Sequence, residues 1–457
     1  MSGKPIPPLH QSWWQRIEPW WMVGVLLLFY VISILDRLVI NMLVIPIQKD
    51  LGLTDFQISL LLGPAFAICF GLCGYPLGWM TDRFSRRGVI FGGIVFWSAA
   101  TIMTGLSKTF PFLFASRMGV GAGEAALQPA AYSLIADKFP KERMTTALSI
   151  FGMGPKVGTA FAFAVGGWVI AYSASHDGMV LPIVGELTSW RLAMVLIGVP
   201  GILLALLAFT FKEPARKNHV KPATDGVNVF KYMGQNKPLF ISLLFGFAMA
   251  AVAAASLVSW VPTYITREFG WTPKEYAPIM GIINVISASS ILFKGVIIDW
   301  LYKRGVRDAH VRFYTWLLAI TPPLAILSFS MTNPYWFMAM YAVVDVVLVS
   351  FLLYIAATIQ LLMPNNMRGQ TTAIFMFVTA TVAAGLAPTI VASFTDFVFG
   401  DQQALGKSLM IVTTSASIVA FFVLRYSLRH LRPALEQQER ENDAHNKKLA
   451  DAQATPA

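Results

Sequence analysis

Twelve apolar stretches, approximately 20–46, 57–81, 88–106, 110–137, 143–172, 190–211, 239–266, 274–302, 311–330, 334–362, 369–398 and 405–428, dominate this 457-residue chain. A helix needs about 20 apolar residues to cross the hydrocarbon core of a bilayer. Every stretch meets that length, and the longer ones imply tilt. A chain that is 56% hydrophobic and only 13% charged is too apolar for a water-soluble globule of this size. The expected fold is therefore an all-α membrane protein with 12 transmembrane helices. Trp13, Trp14, Trp20 and Trp21 fit the interface where the first span begins. That span lacks the short apolar core and small-residue cleavage site of a secretory signal, so it is expected to stay uncleaved.

An even number of spans puts both termini on one side. Assigning the N-terminus, the loops 82–88, 138–143, 212–238, 303–312 and 363–368 and the C-terminal tail to one face places 25 of the 35 Lys and Arg there. The other face receives six: Lys49, Lys108, Arg191, Arg267, Lys274 and Lys407. The positive-inside rule then makes both termini cytoplasmic. Topology thereby explains the formal charge of +11, and nucleic acid is not an expected partner. No glycosylation sequon occurs and the loops are short, which points to a bacterial inner membrane. Cys69 and Cys73 lie four apart in one apolar segment with no His nearby, so they are expected to be packed thiols. No metal or other cofactor is expected.

The sequence GWMTDRFSRRG at 78–88 returns in looser form as GVIIDWLYKRG at 295–305, with Asp82 and Asp299 offset by 217 residues. A second, weaker repeat links FPKERMTTALSIF at 139 with MPNNMRGQTTAIF at 363. The expected organisation is a cytoplasmic segment 1–19, a six-helix bundle 20–211, a linker 212–238, a second bundle 239–429 and a tail 430–457, read as a frayed helix with a disordered end. Two six-span halves built alike are the parallel repeats expected of major facilitator superfamily transporters, the halves being related by pseudo-two-fold symmetry. The loop carboxylates then have a physical task. A carboxylate near the N-terminus of an outward-running helix is favoured by the helix dipole, by about 0.3 to 2 kcal/mol. Docking of Asp82 on span eleven and of Asp299 on span five would latch the cytoplasmic side. Arg83, Arg86, Arg87, Asp137, Arg143, Lys303 and Arg304 complete that candidate gate. The alternative is that these charges only enforce orientation.

A short list of charges remains at membrane depth: Asp36 and Arg37 in span one, Arg117 and Glu124 in span four, Lys156 in span five, Lys294 in span eight and Asp345 in span ten. Each would cost about 2.5 to 3.5 kcal/mol at a lipid-facing helix centre, so each is expected to face a protected interior. Arg117 and Glu124 are seven residues apart, two turns along one helix face and about 10 Å apart along the axis. Glu124 has no adjacent base, whereas Asp36 has Arg37 next to it. A Glu whose distance to Arg117 changes between conformations can load and release a proton, so Glu124 is the candidate proton carrier. The competing reading is a permanent Asp36–Arg117 or Arg117–Glu124 bridge that only ties helices together. No histidine lies at membrane depth, which excludes a His relay. Lys156, beside the Gly-Pro pair of span five, either anchors an anionic substrate or snorkels to a carbonyl. Lys294 and Asp345 are candidates for a structural pair. Tyr132, Trp260, Tyr264 and Tyr354 are candidate path-lining aromatics, with simple packing as the alternative.

The first half resembles the spinster branch of the superfamily. The resemblance rests on ILDRL with Asp36 and Arg37, the Asp-Arg pair at 82–83, and R-x-x-x-G-x-G-E-A from Arg117 to Ala125. It continues through Asp137 and LSIF at 148–151, covering roughly residues 30 to 170. It implies proton-linked transport with Glu124 and Arg117 as coupling residues and Asp36 as a contributor. For animal members it also implies export of lysophospholipids or sphingoid phosphates. Lys156 and the position of Pro129 depart from the branch pattern. The function expected is proton-coupled transport of an amphipathic, anionic organic or lipid-like molecule by a monomer among membrane lipids. Arg37, Arg117, Glu124, Lys156 and the four aromatics are the candidate substrate contacts. The alternatives are a sugar-acid or small organic-anion proton symporter and, from another class, a membrane sensor. An enzyme is not expected, because no nucleophile–base cluster or metal-ligand set is visible.

Overall fold

The computed structural model describes residues 13–181, 185–216, 229–348, 351–364 and 367–454. The first helices are α1 (Trp13–Met42), α2 (Val44–Leu51), α3 (Asp55–Leu62), α4 (Pro64–Arg83), α5 (Arg86–Gly105), α6 (Phe110–Glu124) and α7 (Leu127–Lys138). There follow α8 (Lys141–Gly152), α9 (Gly154–Phe161), α10 (Gly167–Ala174) and α11 (Ser189–Ala205), with a small antiparallel hairpin, β1 (Met179–Leu181) and β2 (Gly185–Leu187), before α11. The rest is α12 (Val229–Gln235), α13 (Lys237–Phe269), α14 (Pro273–Lys303), α15 (Ala309–Phe329), α16 (Pro334–Leu348), α17 (Phe351–Leu362), α18 (Arg368–Ser393) and α19 (Leu405–Ala454).

Among the described residues, ten helical segments are long and apolar enough to cross a membrane, and the fourth and tenth expected spans are the two that fall short. For span ten, α16 and α17 flank residues 349–350, which lie outside the described residues, so neither described piece reaches the full length by itself. Span four is broken after Glu124, where the Ala125 and Ala126 amides donate back to Gly121 and Gly123 at 3.3 and 3.2 Å. Pro129 brings no N–H to continue the ladder there, so α7 starts afresh. Span five breaks at Met153, where Pro155 occupies the first turn of α9, and passes through a π-helical turn at Ala162–Gly166 before α10. The expected linker 212–238 contains α12, and its residues 217–228 lie outside the described set. The tail is the continuation of α19, which runs as helix to Ala454.

The chain divides into two compact units, Met1–Ile47 with Ile68–Asn218, and Gln48–Ala67 with His219–Ala457. In the first, α5 packs on α6 and α11. The contact with α6 is backbone on backbone. A Cβ on Gly93 would stand 2.7 Å from the Ala126 Cβ, and one on Gly123 would stand 2.8 Å from the Gly93 carbonyl oxygen. Small residues permit this approach, and it fixes the height of Glu124, the next residue. In the second unit, α13 packs on α18 and α19, and α15 on α16 and α19.

The segment 48–67 comes from the first half of the sequence yet packs with the second unit, through the close approach of Gly63 to the Ala384–Gly385 backbone of α18 and through buried polar contacts. Asp55 is fully buried and receives two hydrogen bonds from Arg267, at 2.6 and 2.7 Å, while Gln48 bonds both partners. The Asp396 carboxylate accepts the Phe56 amide at 2.7 Å. Elsewhere large apolar side chains such as Leu72, Phe293 and Val296 lie on the outside, the pattern of a protein solvated by lipid.

Candidate coupling site

The first unit gathers two acids and two arginines, three of the four buried. Asp36 is 1% exposed, Arg117 0% and Glu124 2%, in an interior otherwise built of apolar helix faces. Arg37 donates to the Glu124 carboxylate at 2.6 Å, its side chain 30% exposed at the edge of the cluster and its guanidinium 5.6 Å above the Phe70 ring. Arg117 lies within electrostatic reach of both acids and donates to the Asp36 backbone oxygen at 3.4 Å. The pairing differs from the one sequence adjacency suggests. Neighbours on a helix point about 100° apart, so Asp36 and Arg37 face different ways and the arginine serves Glu124.

This cluster contains more polar atoms than bonds. Both Asp36 carboxylate oxygens, Glu124 Oε1, and Nε and Nη2 of Arg117 are buried without a hydrogen-bond partner. Trp97 Nε1 and Thr101 Oγ1 on α5 face the Asp36 carboxylate without closing a bond to it. Buried polar atoms left open in this way are costly and mark a place where water, a proton or a ligand belongs. Tyr30 and Gln128 extend the cluster: the Gln128 amide donates to the Tyr30 hydroxyl at 2.9 Å, and Tyr30 stacks on Phe151, against which Tyr132 stands edge-on. Tyr30, Trp97, Thr101 and Gln128 escaped sequence reasoning. Helical spacing held the signal for one of them, since Tyr30 is two turns before Arg37, whereas Gln128 lies beyond the break after Glu124.

The sequence model of the Major Facilitator Superfamily matches residues 26–388. The chain belongs to that superfamily. It is 26% identical over 426 residues to an efflux pump of Mycolicibacterium smegmatis, covering 92% of this chain and 95% of the pump. It is 24% identical over 456 residues to a probable L-galactonate transporter of Escherichia coli, covering 94% and 95%. With a sphingosine-1-phosphate transporter of Xenopus tropicalis it shares 27% identity over 249 residues, 53% of this chain and 45% of the relative. A crystal structure of a bacterial homologue of the human lysosomal transporter spinster, inward-facing and unoccupied, superposes with a TM-score of 0.73 at 22% identity, covering 92% and 97%. These relatives and the fold are transporters, not enzymes.

The superfamily loop motif holds its own half together. Arg86, 1% exposed, bonds the Asp137 carboxylate, Ser133 Oγ at 3.1 Å and the Pro214 carbonyl at 2.5 Å. Its backbone and side chain both reach Glu213, at 2.9 and 3.1 Å, and the Ser85 hydroxyl adds 2.6 Å. Burial pushes the Glu213 carboxyl up, but the Ser85 hydroxyl and the Arg86 amide and guanidinium outweigh it and hold it below the usual range. Arg87 donates to the Phe211 carbonyl at 2.7 Å. Asp82, Asp299, Lys303 and Arg143 are exposed. Arg83 lies 4.2 Å over Trp79 and Arg304 3.8 Å over Trp300, an i, i+4 stack in each loop region at positions that do not correspond within the repeat.

The remaining candidates are dispersed. Lys156 is half-buried on α9 beside Pro155. Lys294 donates to the Val346 backbone carbonyl, next to the buried Asp345. Trp260, fully buried, donates to the Pro388 carbonyl at 3.0 Å. Tyr264 packs among Phe269, Phe329 and Phe337, and Tyr354 between Phe313 and Tyr314. These three aromatics lie inside the second unit. Among the described residues no group of three or more His, Cys, Asp or Glu could hold a metal ion.

Proposed function

We propose that this superfamily member is a proton-coupled transporter of an amphipathic organic anion, with Glu124 as the proton carrier. The observation that carries this reading is the Arg37–Glu124 bridge beside an unbonded, buried Asp36. Protonating Glu124 removes the charge that holds Arg37, leaving a cation at the cluster edge for an anionic cargo. Release of cargo returns Arg37 to Glu124 and expels the proton. Arg117 keeps the acids compensated throughout, and Asp36 is the second protonatable group. Lys156 and Tyr132 extend the cargo path in this reading, which places the two six-span halves in alternating access. The Asp82 and Asp299 motifs serve as the cytoplasmic gate, and the basic loops put both termini in the cytoplasm of a bacterial inner membrane.

Likeness to a sphingosine-1-phosphate transporter favours a lipid-like anion. A sugar acid is the second reading, supported by likeness to the L-galactonate transporter over nearly the whole chain. Proteoliposomes holding a pH dye, offered lysophospholipid, sphingoid phosphate, sugar acids and a cationic drug in turn, decide between them. A pH signal with a lipid-like anion supports the first reading. A signal with sugar acids alone supports the second, and silence with every anion removes both.

A further inference from the structure

Outside the charged cluster, the first unit carries an apolar groove of about 710 Å³ between α4, α5 and the end of α6. Leu77 and Met80 form one wall, Gly88 and Gly92 the floor, and Phe84 and Phe96 stand at the two ends. Phe84 and Phe96 are each 55% exposed, so the groove opens sideways toward the surroundings of the protein. Gly88 to Phe96 is eight residues of helix, about 12 Å. That length approaches the roughly 15 Å of one leaflet's hydrocarbon.

The floor is not explained by helix packing. Gly93 is needed for the contact with α6, but a Cβ on Gly92 would meet nothing within 4 Å. Glycine inside a helix costs roughly 0.5 to 1 kcal/mol relative to alanine, so a glycine without a packing contact leaves room at a cost. The inner end of the groove runs into the 82–88 loop, where the three arginines differ in what they hold. Arg86 is consumed by Asp137 and Glu213. Arg83 is exposed and stacked on Trp79, without an ion pair among the described residues, whereas Arg87 is held by the Phe211 carbonyl at 2.7 Å and lies 3.7 Å from Glu213. Basic residues at the membrane edge of an interhelical groove suit anionic lipid headgroups.

We infer that the groove holds an acyl chain of an anionic, two-chain membrane phospholipid from the leaflet abutting the 82–88 loop, its phosphate resting on Arg83. The neighbouring Asp82 carboxylate opposes such a headgroup and limits the preference that Arg83 confers. This lipid is a resident of the transporter, not its cargo.

Native mass spectrometry of the full chain in detergent tests this, with phosphatidylglycerol, phosphatidylcholine and lysophosphatidylglycerol offered separately. The wild type is expected to retain one phosphatidylglycerol, with phosphatidylcholine at less than about a tenth of that occupancy. Gly92→Phe, which fills the floor, is expected to cut retention at least tenfold. Arg83→Gln, with the groove intact, is expected to cut it severalfold and to narrow the preference over phosphatidylcholine. Thermal unfolding in the same detergent shows whether Gly92→Phe is folded, and if it is not, Arg83→Gln decides. Undiminished phosphatidylglycerol on folded Gly92→Phe, unchanged preference in Arg83→Gln, or stronger retention of the lysolipid would overturn the inference.

Discussion

Arg37 and Glu124, 87 residues apart in sequence, meet at 2.6 Å with the Glu124 side chain 2% exposed. The bond is charge-assisted and partly open at the arginine, and in the proposed mechanism it is the contact that protonation and an anionic cargo would break. Replacing Arg37 by Ala should leave Glu124 without its hydrogen-bonded cation and lower cargo transport at least tenfold. Arg37→Lys keeps the charge but loses the planar fork and should fall between. Initial rates of cargo counterflow in proteoliposomes measure both.

Arg267→Ala should destabilise the second unit strongly. Asp55 is 0% and Arg267 7% exposed, and removing one partner of a buried pair typically costs about 3–5 kcal/mol. Denaturant unfolding in detergent reads the loss, and Asp55→Asn with Arg267→Gln should recover part of it by exchanging charges for amides.

Two adjacent glycines should respond in opposite directions. Gly93→Leu forces atoms into Ala126 and the Gly123 backbone, and overpacking of this kind costs about 1–3 kcal/mol or more. Gly92→Ala adds a methyl where nothing lies within 4 Å and should be neutral or stabilising by up to about 1 kcal/mol. Thermal melts of the two purified variants give the comparison.

Glu213 should make the α4–α5 loop sensitive to acid. Its folded carboxyl is held below the usual range, so its stabilising contribution is present above the unfolded value of about 4.3 and is lost as pH falls through the lower folded value. Glu213→Gln should therefore be less stable than wild type at neutral pH, and the two should converge in strong acid. Melting temperatures across that pH range show whether the gap closes.

The spans were legible because hydropathy reports directly on bilayer thickness, and the loop repeat was legible because Asp82 and Asp299 fall at matching places in each half. The helix breaks after Glu124 and at Met153 left glycine and proline signals that a count of apolar residues passes over. Pairing was a different matter. Arg37 stands beside Asp36 in sequence, yet side-chain direction turns it to Glu124, a partner that depends on how α1 meets α6. Trp97 and Thr101 read as ordinary residues of an apolar span until α5 sets them against Asp36. Composition likewise could not separate Tyr264, inside an aromatic cluster, from an aromatic that lines a path. The claim of Asp55 on Arg267 was hidden because Arg267 had been counted only as one of the six charges on the other face.

The most direct measurement compares exchange with accumulation in Glu124→Gln, using the cargo that gives a pH signal with wild type. Counterflow needs cargo binding and reorientation but no net proton release, whereas accumulation driven by a pH gradient needs both. Glu124→Gln is expected to exchange cargo at a rate comparable to wild type while failing to accumulate it and failing to move protons. Proton-driven accumulation that persists in Glu124→Gln would contradict the assignment of Glu124 as the proton carrier and leave its bond to Arg37 a structural one.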